Sequence, residues 1–170
     1  FALVSQITWP LFQWLGIHPT AIWGAIFGMT WDIAGNENVL GVAKHLYTTM
    51  FMNYSTIAAG TFALAPVLSI LFFSKLKQNK KITKVALAPA IFNISAPITF
   101  GLPIILNPIN FIPFIIVQPL CFYIAVFFTK VGFIPVVCNN VPWTVPPIIS
   151  GILFTGTIAG GLGKLMNLVI

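Results

Sequence analysis

The sequence predicts an all-α integral membrane protein whose helices are broken by proline. Three observations carry this. The 170 residues are 58% hydrophobic and 6% charged, far from the roughly 25% charged of a soluble domain. The apolar runs come as blocks of about 20 residues, the length a helix needs to cross a bilayer, and not as the ten-residue alternating segments of an outer-membrane barrel. Finally, Asn93 to Pro108 is apolar yet carries Pro97, Pro103, Pro108 and Gly101. Backbone groups freed by such breaks are excluded from hydrocarbon, so they are buried in protein or line a watery cavity, the usual setting of a transport site.

Taken in order, Phe1 to Leu15 reads as the end of a membrane helix, with Trp9 and Trp14 suited to the interfacial belt. Gly16-Ile17-His18-Pro19 breaks it. Ala21 to Met29 is apolar but too short to span, which makes it a re-entrant half-helix or an interfacial piece. Thr30 to Asn53 is polar and holds both acids, Asp32 and Glu37. Tyr54 to Phe73 has spanning length, and its small residues Ala58, Ala59 and Gly60 allow close helix packing.

Five of the eight lysines, Lys75, Lys77, Lys80, Lys81 and Lys84, then fall in one loop between apolar blocks. With no arginine anywhere, the net charge of +6 is a topology signal that puts this loop in the cytoplasm, and not a nucleic-acid footprint. Val85 to Leu106 is long enough to cross, but its prolines favour a hairpin of two half-helices. Ile109 to Phe128 is a spanning helix bent near Pro113 and Pro119. Lys130 to Pro147 is a proline-rich connection, and Pro146 to Ile170 a last apolar helix interrupted at Gly160-Gly161 and Lys164.

Few residues could carry chemistry. His18 lies at the mouth of a short apolar segment, where an ionisable ring either satisfies freed backbone or serves a ligand. His45 reads as an ordinary loop histidine. Asn93 and Asn107 bracket the broken segment, and their amides can either meet sugar hydroxyls or tie helices together. Trp143, fixed between prolines in Val-Pro-Trp-Thr-Val-Pro-Pro, either stacks on a pyranose face or sits in the interfacial belt. Asp32 and Glu37 are too few for paired-carboxylate catalysis, and an intramembrane enzyme using His18 and Asp32 fits no known arrangement. Cys121 and Cys138 lack any metal or redox spacing, and no residue pattern calls for a metal or cofactor.

Together, Gly16-Ile17-His18, Phe92-Asn93-Ile94, Phe100-Gly101-Leu102-Pro103, Leu106-Asn107-Pro108, Ile112-Pro113-Phe114, Pro142-Trp143-Thr144 and Pro146-Pro147-Ile148-Ile149-Ser150-Gly151 closely resemble one family. The chain resembles the permease subunit, enzyme IIC, of the lactose/cellobiose/diacetylchitobiose branch of the bacterial phosphotransferase system, with the motifs in the family's order through the whole chain.

The resemblance implies that residues 1–170 form the C-terminal, sugar-transporting half of such a permease, with the N-terminal helices missing. The fold it implies is a transport-domain bundle of three or four spanning helices with two re-entrant hairpins, in the bacterial plasma membrane. It implies inward carriage of a β-linked disaccharide, phosphorylated by a cytosolic B subunit bearing a phosphocysteine, the carrier itself supplying no phosphoryl-bearing residue. A homodimer is implied for the full-length protein. Carried over by position, His18, Asn93 and Trp143 match sugar-contacting residues, and Asn107 closes the same segment. At Ala96 the chain departs, because relatives read Asn-Glu-Pro where this chain has Ser95-Ala96-Pro97, and their glutamate accepts the hydroxyl that becomes phosphorylated. That loss supports the alternative of a truncated or degenerate membrane fragment that transports nothing.

Overall fold

The computed structural model describes residues 2–56, 60 and 62–169. The described residues are helical, without strands, as expected for an all-α chain. The helices are α1 (Ala2–Trp14), α2 (Thr20–Val39), α3 (Thr49–Ser55), α4 (Leu64–Phe73), α5 (Lys77–Ile91), α6 (Ala96–Gly101), α7 (Pro108–Lys130), α8 (Pro147–Thr155) and α9 (Ile158–Val169).

Helix α7 realises the helix expected over 109–128, with Pro113 and Pro119 inside it. Among the described residues it is the one helix long and apolar enough to cross a membrane, with a mean hydropathy of 2.2; α4 and α9 are shorter apolar helices. The Tyr54 to Phe73 stretch is not one span. Helix α3 ends at Ser55, Gly60 adopts φ +74°, and α4 begins only at Leu64; Ala58 and Ala59 lie outside the described residues. The carbonyl of Ser55, the last residue of α3, accepts a bond from Asn167 Nδ2 on α9 at 3.1 Å.

Two other boundaries differ from expectation. Helix α2 runs on past Met29 to Val39, because the polar residues after Thr30 include neither proline nor a second glycine before Gly35 and propagate a helix once it is started. The lysine-rich segment is mostly helix: Lys77, Lys80, Lys81 and Lys84 lie on α5 at spacings that share one face, leaving Lys75 before it. Lysine is a good helix former, and residues 77–84 hold no glycine or proline.

The last apolar stretch turns at Gly156, which has φ +68° and ends α8 in the left-handed conformation that glycine tolerates best. Gly160 and Gly161 do not interrupt the helix as the sequence suggested; they lie inside α9 and let it approach α8. A Cβ at Gly160 would stand 2.4 Å from the carbonyl oxygen of Gly151, and one at Gly151 would stand 2.5 Å from that of Gly160. Small residues permit this backbone approach, as in membrane helix pairs.

Two apolar clusters hold the bundle. One gathers Phe51 and Tyr54 of α3, Phe122 and Ala125 of α7, Ile134 and Val137 of the following connection, and Phe154 of α8. The other joins Ala63 and Val67 to Ala86 and Ala90 of α5 and to Ile98 and Leu102. Lys164 of α9 is fully buried, its Nζ 5.1 Å from the ring centres of both Tyr54 and Phe154 and without a hydrogen-bond partner among the described residues.

Candidate functional site

The Asn93 to Pro108 segment folds as its prolines require. Helix α5 stops at Ile91, a turn at 92–93 follows, α6 supplies six residues with Pro97 in its first turn, and irregular backbone leads to α7. Its freed backbone groups find partners within the protein. The Ile94 amide donates to Pro89 O at 3.0 Å, and the Leu106 amide to Trp14 O at 3.3 Å. The Pro103 carbonyl accepts from Asn107 Nδ2 at 2.8 Å, while Asn107 Oδ1 caps α7 by accepting from the Ile109 amide.

Asn93 fastens the turn to the distant proline-rich connection. It holds the left-handed conformation at φ +61°, which asparagine adopts more readily than most residues. It is 6% exposed, and its Nδ2 donates to the carbonyls of Trp143 and Val145 at 2.8 and 2.7 Å. Residues 142–145 themselves form a turn, the Val145 amide donating to Pro142 O, which presents the half-exposed Trp143 ring. Asn93 Oδ1 is buried and meets no donor among the described residues.

These elements enclose a cavity of about 540 Å³, within the range that holds a drug-sized ligand. Of the residues singled out from sequence, His18, Asn93, Ala96 and Trp143 line it together. His18 is exposed, its Nδ1 within hydrogen-bond reach of Thr20 Oγ1. Asn107 is not among the lining residues; its amide is spent on the Pro103 carbonyl and the α7 cap. Position 96 gives the wall only a methyl group.

Sequence reading missed several wall residues. Trp9 and Gln13 of α1, Asn53 of α3, Thr99 of α6 and Gln118 of α7 also line the cavity. Gln118 could have been found as an amide inside the longest apolar helix, where a polar residue is costly unless used. Asn53 also borders a smaller cavity of about 290 Å³, with Trp31, Asp32, Asn36 and Asn140. His45 stands outside both, paired with Glu37 at 2.7 Å on the surface.

A helical bundle of this kind, with interrupted helices around an amide- and aromatic-lined hollow, defines a transporter-type fold. A crystal structure of the transporter ChbC, the IIC component from the N,N'-diacetylchitobiose-specific phosphotransferase system, superimposes with a TM-score of 0.89 at 30% identity, over 98% of this chain and 40% of that one. The model of the family "Phosphotransferase system, EIIC" matches residues 2–117, and the chain belongs to that family. It is 35% identical over 173 residues to the oligo-beta-mannoside-specific EIIC component of Bacillus subtilis, covering 97% of this chain and 38% of that protein. To the lactose-specific EIICB component of Staphylococcus aureus it is 32% identical over 152 residues, covering 86% of this chain and 27% of that protein. The chain spans about two fifths of the length of several curated relatives it matches.

Proposed function

We propose that this chain is the sugar-holding part of a permease of the phosphoenolpyruvate-dependent phosphotransferase system, carrying a β-linked disaccharide of the cellobiose, lactose or chitobiose class across the bacterial plasma membrane. The observation that carries the reading is the convergence of His18, Asn93 and Trp143 on one 540 Å³ cavity from segments far apart in sequence. An aromatic face and a few placed polar groups are what a sugar, apolar on its ring faces and polar at its rim, requires. Ala96 and Asn107 complete the proposed set, the first as the wall position where an acceptor is absent and the second as the residue that shapes the segment's end.

In this reading, α5–α6 and α8–α9 are two re-entrant hairpins, the basic face of α5 is cytoplasmic, and the chain is the C-terminal half of a multi-pass, dimeric permease. Its partner is a cytosolic B subunit bearing a phosphocysteine; the fused EIICB relative supports that pairing. The methyl group at Ala96 favours a second reading, a fragment that folds but transports nothing. The two are separated by reconstituting the protein in proteoliposomes and following counterflow of labelled cellobiose, lactose and diacetylchitobiose. Exchange of one of these sugars above protein-free vesicles is expected; none with any of them, from protein that is correctly folded, favours the second reading.

A further inference from the structure

A buried amide chain whose direction is fixed by a sulfur atom ends at the cavity wall on Gln118. Gln6 of α1, Gln118 of α7 and Met52 of α3 are 2%, 1% and 5% exposed. Gln6 Nε2 donates to Met52 Sδ at 3.0 Å, and Gln118 Nε2 donates to Gln6 Oε1 at 3.2 Å. Gln118 Oε1, at the end of the chain, is buried and has no donor among the described residues.

A glutamine amide can usually be turned over, exchanging its oxygen and nitrogen at little cost, so its polarity is read from its partners. Here one partner permits a single answer. A thioether has lone pairs and no proton, so it can only accept. Gln6 must therefore turn its NH2 to the sulfur, which turns its oxygen toward α7. Gln118 must meet that oxygen with its own NH2, which leaves its oxygen as the free end. Reversing the chain would set oxygen against sulfur. The chain therefore offers an acceptor at Gln118 and calls for a donor there.

We infer that Gln118 Oε1 is a sugar-hydroxyl acceptor in this site, and that Met52, acting through Gln6, is the positioning residue that makes it an acceptor. This rests on the sugar-carrier reading above. It also bears on position 96: the wall that lacks a carboxylate there keeps a buried, unfilled acceptor on α7, which gives the site a means of reading a hydroxyl without glutamate.

The test is sugar binding by the purified protein, measured calorimetrically with cellobiose and its monodeoxyfluoro derivatives, in which a hydroxyl donor becomes a group that cannot donate. In the wild type, fluorination at one position is expected to weaken binding about tenfold, the worth of one buried hydrogen bond. In Gln118→Leu, cellobiose itself weakens about tenfold and that fluorination costs nothing more. In Met52→Leu, a swap of similar volume, the amides are free to turn and the penalty for that fluorination largely disappears.

Gln118→Leu showing the wild-type pattern of fluorine penalties overturns the inference while leaving the carrier reading intact. Absence of cellobiose, lactose or chitobiose binding to folded wild-type protein overturns the carrier reading, and this inference with it. Should Gln118→Leu fail to fold, Met52→Leu decides alone, and an unchanged fluorine penalty in that variant counts against the inference.

Discussion

Replacing Asn93 tests whether the turn between α5 and α6 is held by one side chain. Asn93→Ala removes both bonds from Nδ2, to Trp143 O at 2.8 Å and Val145 O at 2.7 Å. Each is worth about 0.5–1.5 kcal/mol. The substitution also leaves a Cβ residue without a local polar side chain at φ +61°, a further cost of about 1 kcal/mol. The sum is about 2–4 kcal/mol. For a domain of this size that is a fall in melting temperature of roughly 4–16 °C.

Asn93→Gly separates the two contributions. Glycine accepts the positive φ without strain and loses only the hydrogen bonds, so it is expected to melt above Asn93→Ala despite its own entropic cost of about 0.5–1 kcal/mol. Thermal unfolding in detergent, followed by tryptophan fluorescence, measures both. Because the bonds from Asn93 hold the backbone that presents Trp143, both variants should also bind cellobiose at least tenfold more weakly. A melting temperature within 1 °C of wild type, with unchanged sugar affinity, would refute the claim that Asn93 fastens these segments.

Ala96→Glu restores an acceptor at the cavity wall and is expected to strengthen cellobiose binding about tenfold, from an acceptor worth 1–3 kcal/mol; calorimetry showing unchanged or weaker binding would mean that position 96 no longer faces the reacting hydroxyl. Gly160→Ala forces a Cβ within 2.4 Å of the Gly151 carbonyl oxygen, so overpacking should cost about 1–3 kcal/mol and lower the melting temperature. Lys164→Met keeps the stem and removes a buried Nζ that lacks a hydrogen-bond partner among the described residues. The two aromatic rings offset only about 1–2 kcal/mol of the burial cost, so this variant should melt higher than wild type, and a lower melting temperature would show that the lysine is needed for folding.

Much of the architecture was legible because proline and chain length act locally. Pro97 and Pro103 announced the break that the structure resolves into α6 and its irregular flanks, and the apolar run after Pro108 announced α7. What escaped depends on tertiary contacts. The break between α3 and α4 carries no proline at its centre, and the end of α3 is tied down by Asn167, which reaches the Ser55 carbonyl from 112 residues away. Gly160 and Gly161 read as helix breakers until α8 is packed against them. The lysines of α5 read as a loop because charge marked the boundary of an apolar block while concealing a helical propensity that lysine shares with leucine.

The site divides in the same way. His18, Asn93 and Trp143 were visible through local context, each next to a turn or proline. Gln118 and Gln6 were not, since the meaning of one amide depends on the other and on a sulfur atom 46 residues from Gln6. Asn107 shows the converse: its placement beside the broken segment left a sugar contact and a structural tie both open, and the structure gives its amide to the Pro103 carbonyl and the α7 cap.

The most direct test of a sugar-holding cavity is protection of a cysteine placed in its wall. In protein with Cys121 and Cys138 replaced by serine or alanine, Ala96→Cys on the cavity wall and Val85→Cys on the outer face of α5 are labelled with a thiol reagent, with and without saturating cellobiose, lactose or diacetylchitobiose. At least one of these sugars should slow labelling at position 96 several-fold and leave position 85 unchanged. Equal rates at position 96 with and without every sugar bound would contradict the account.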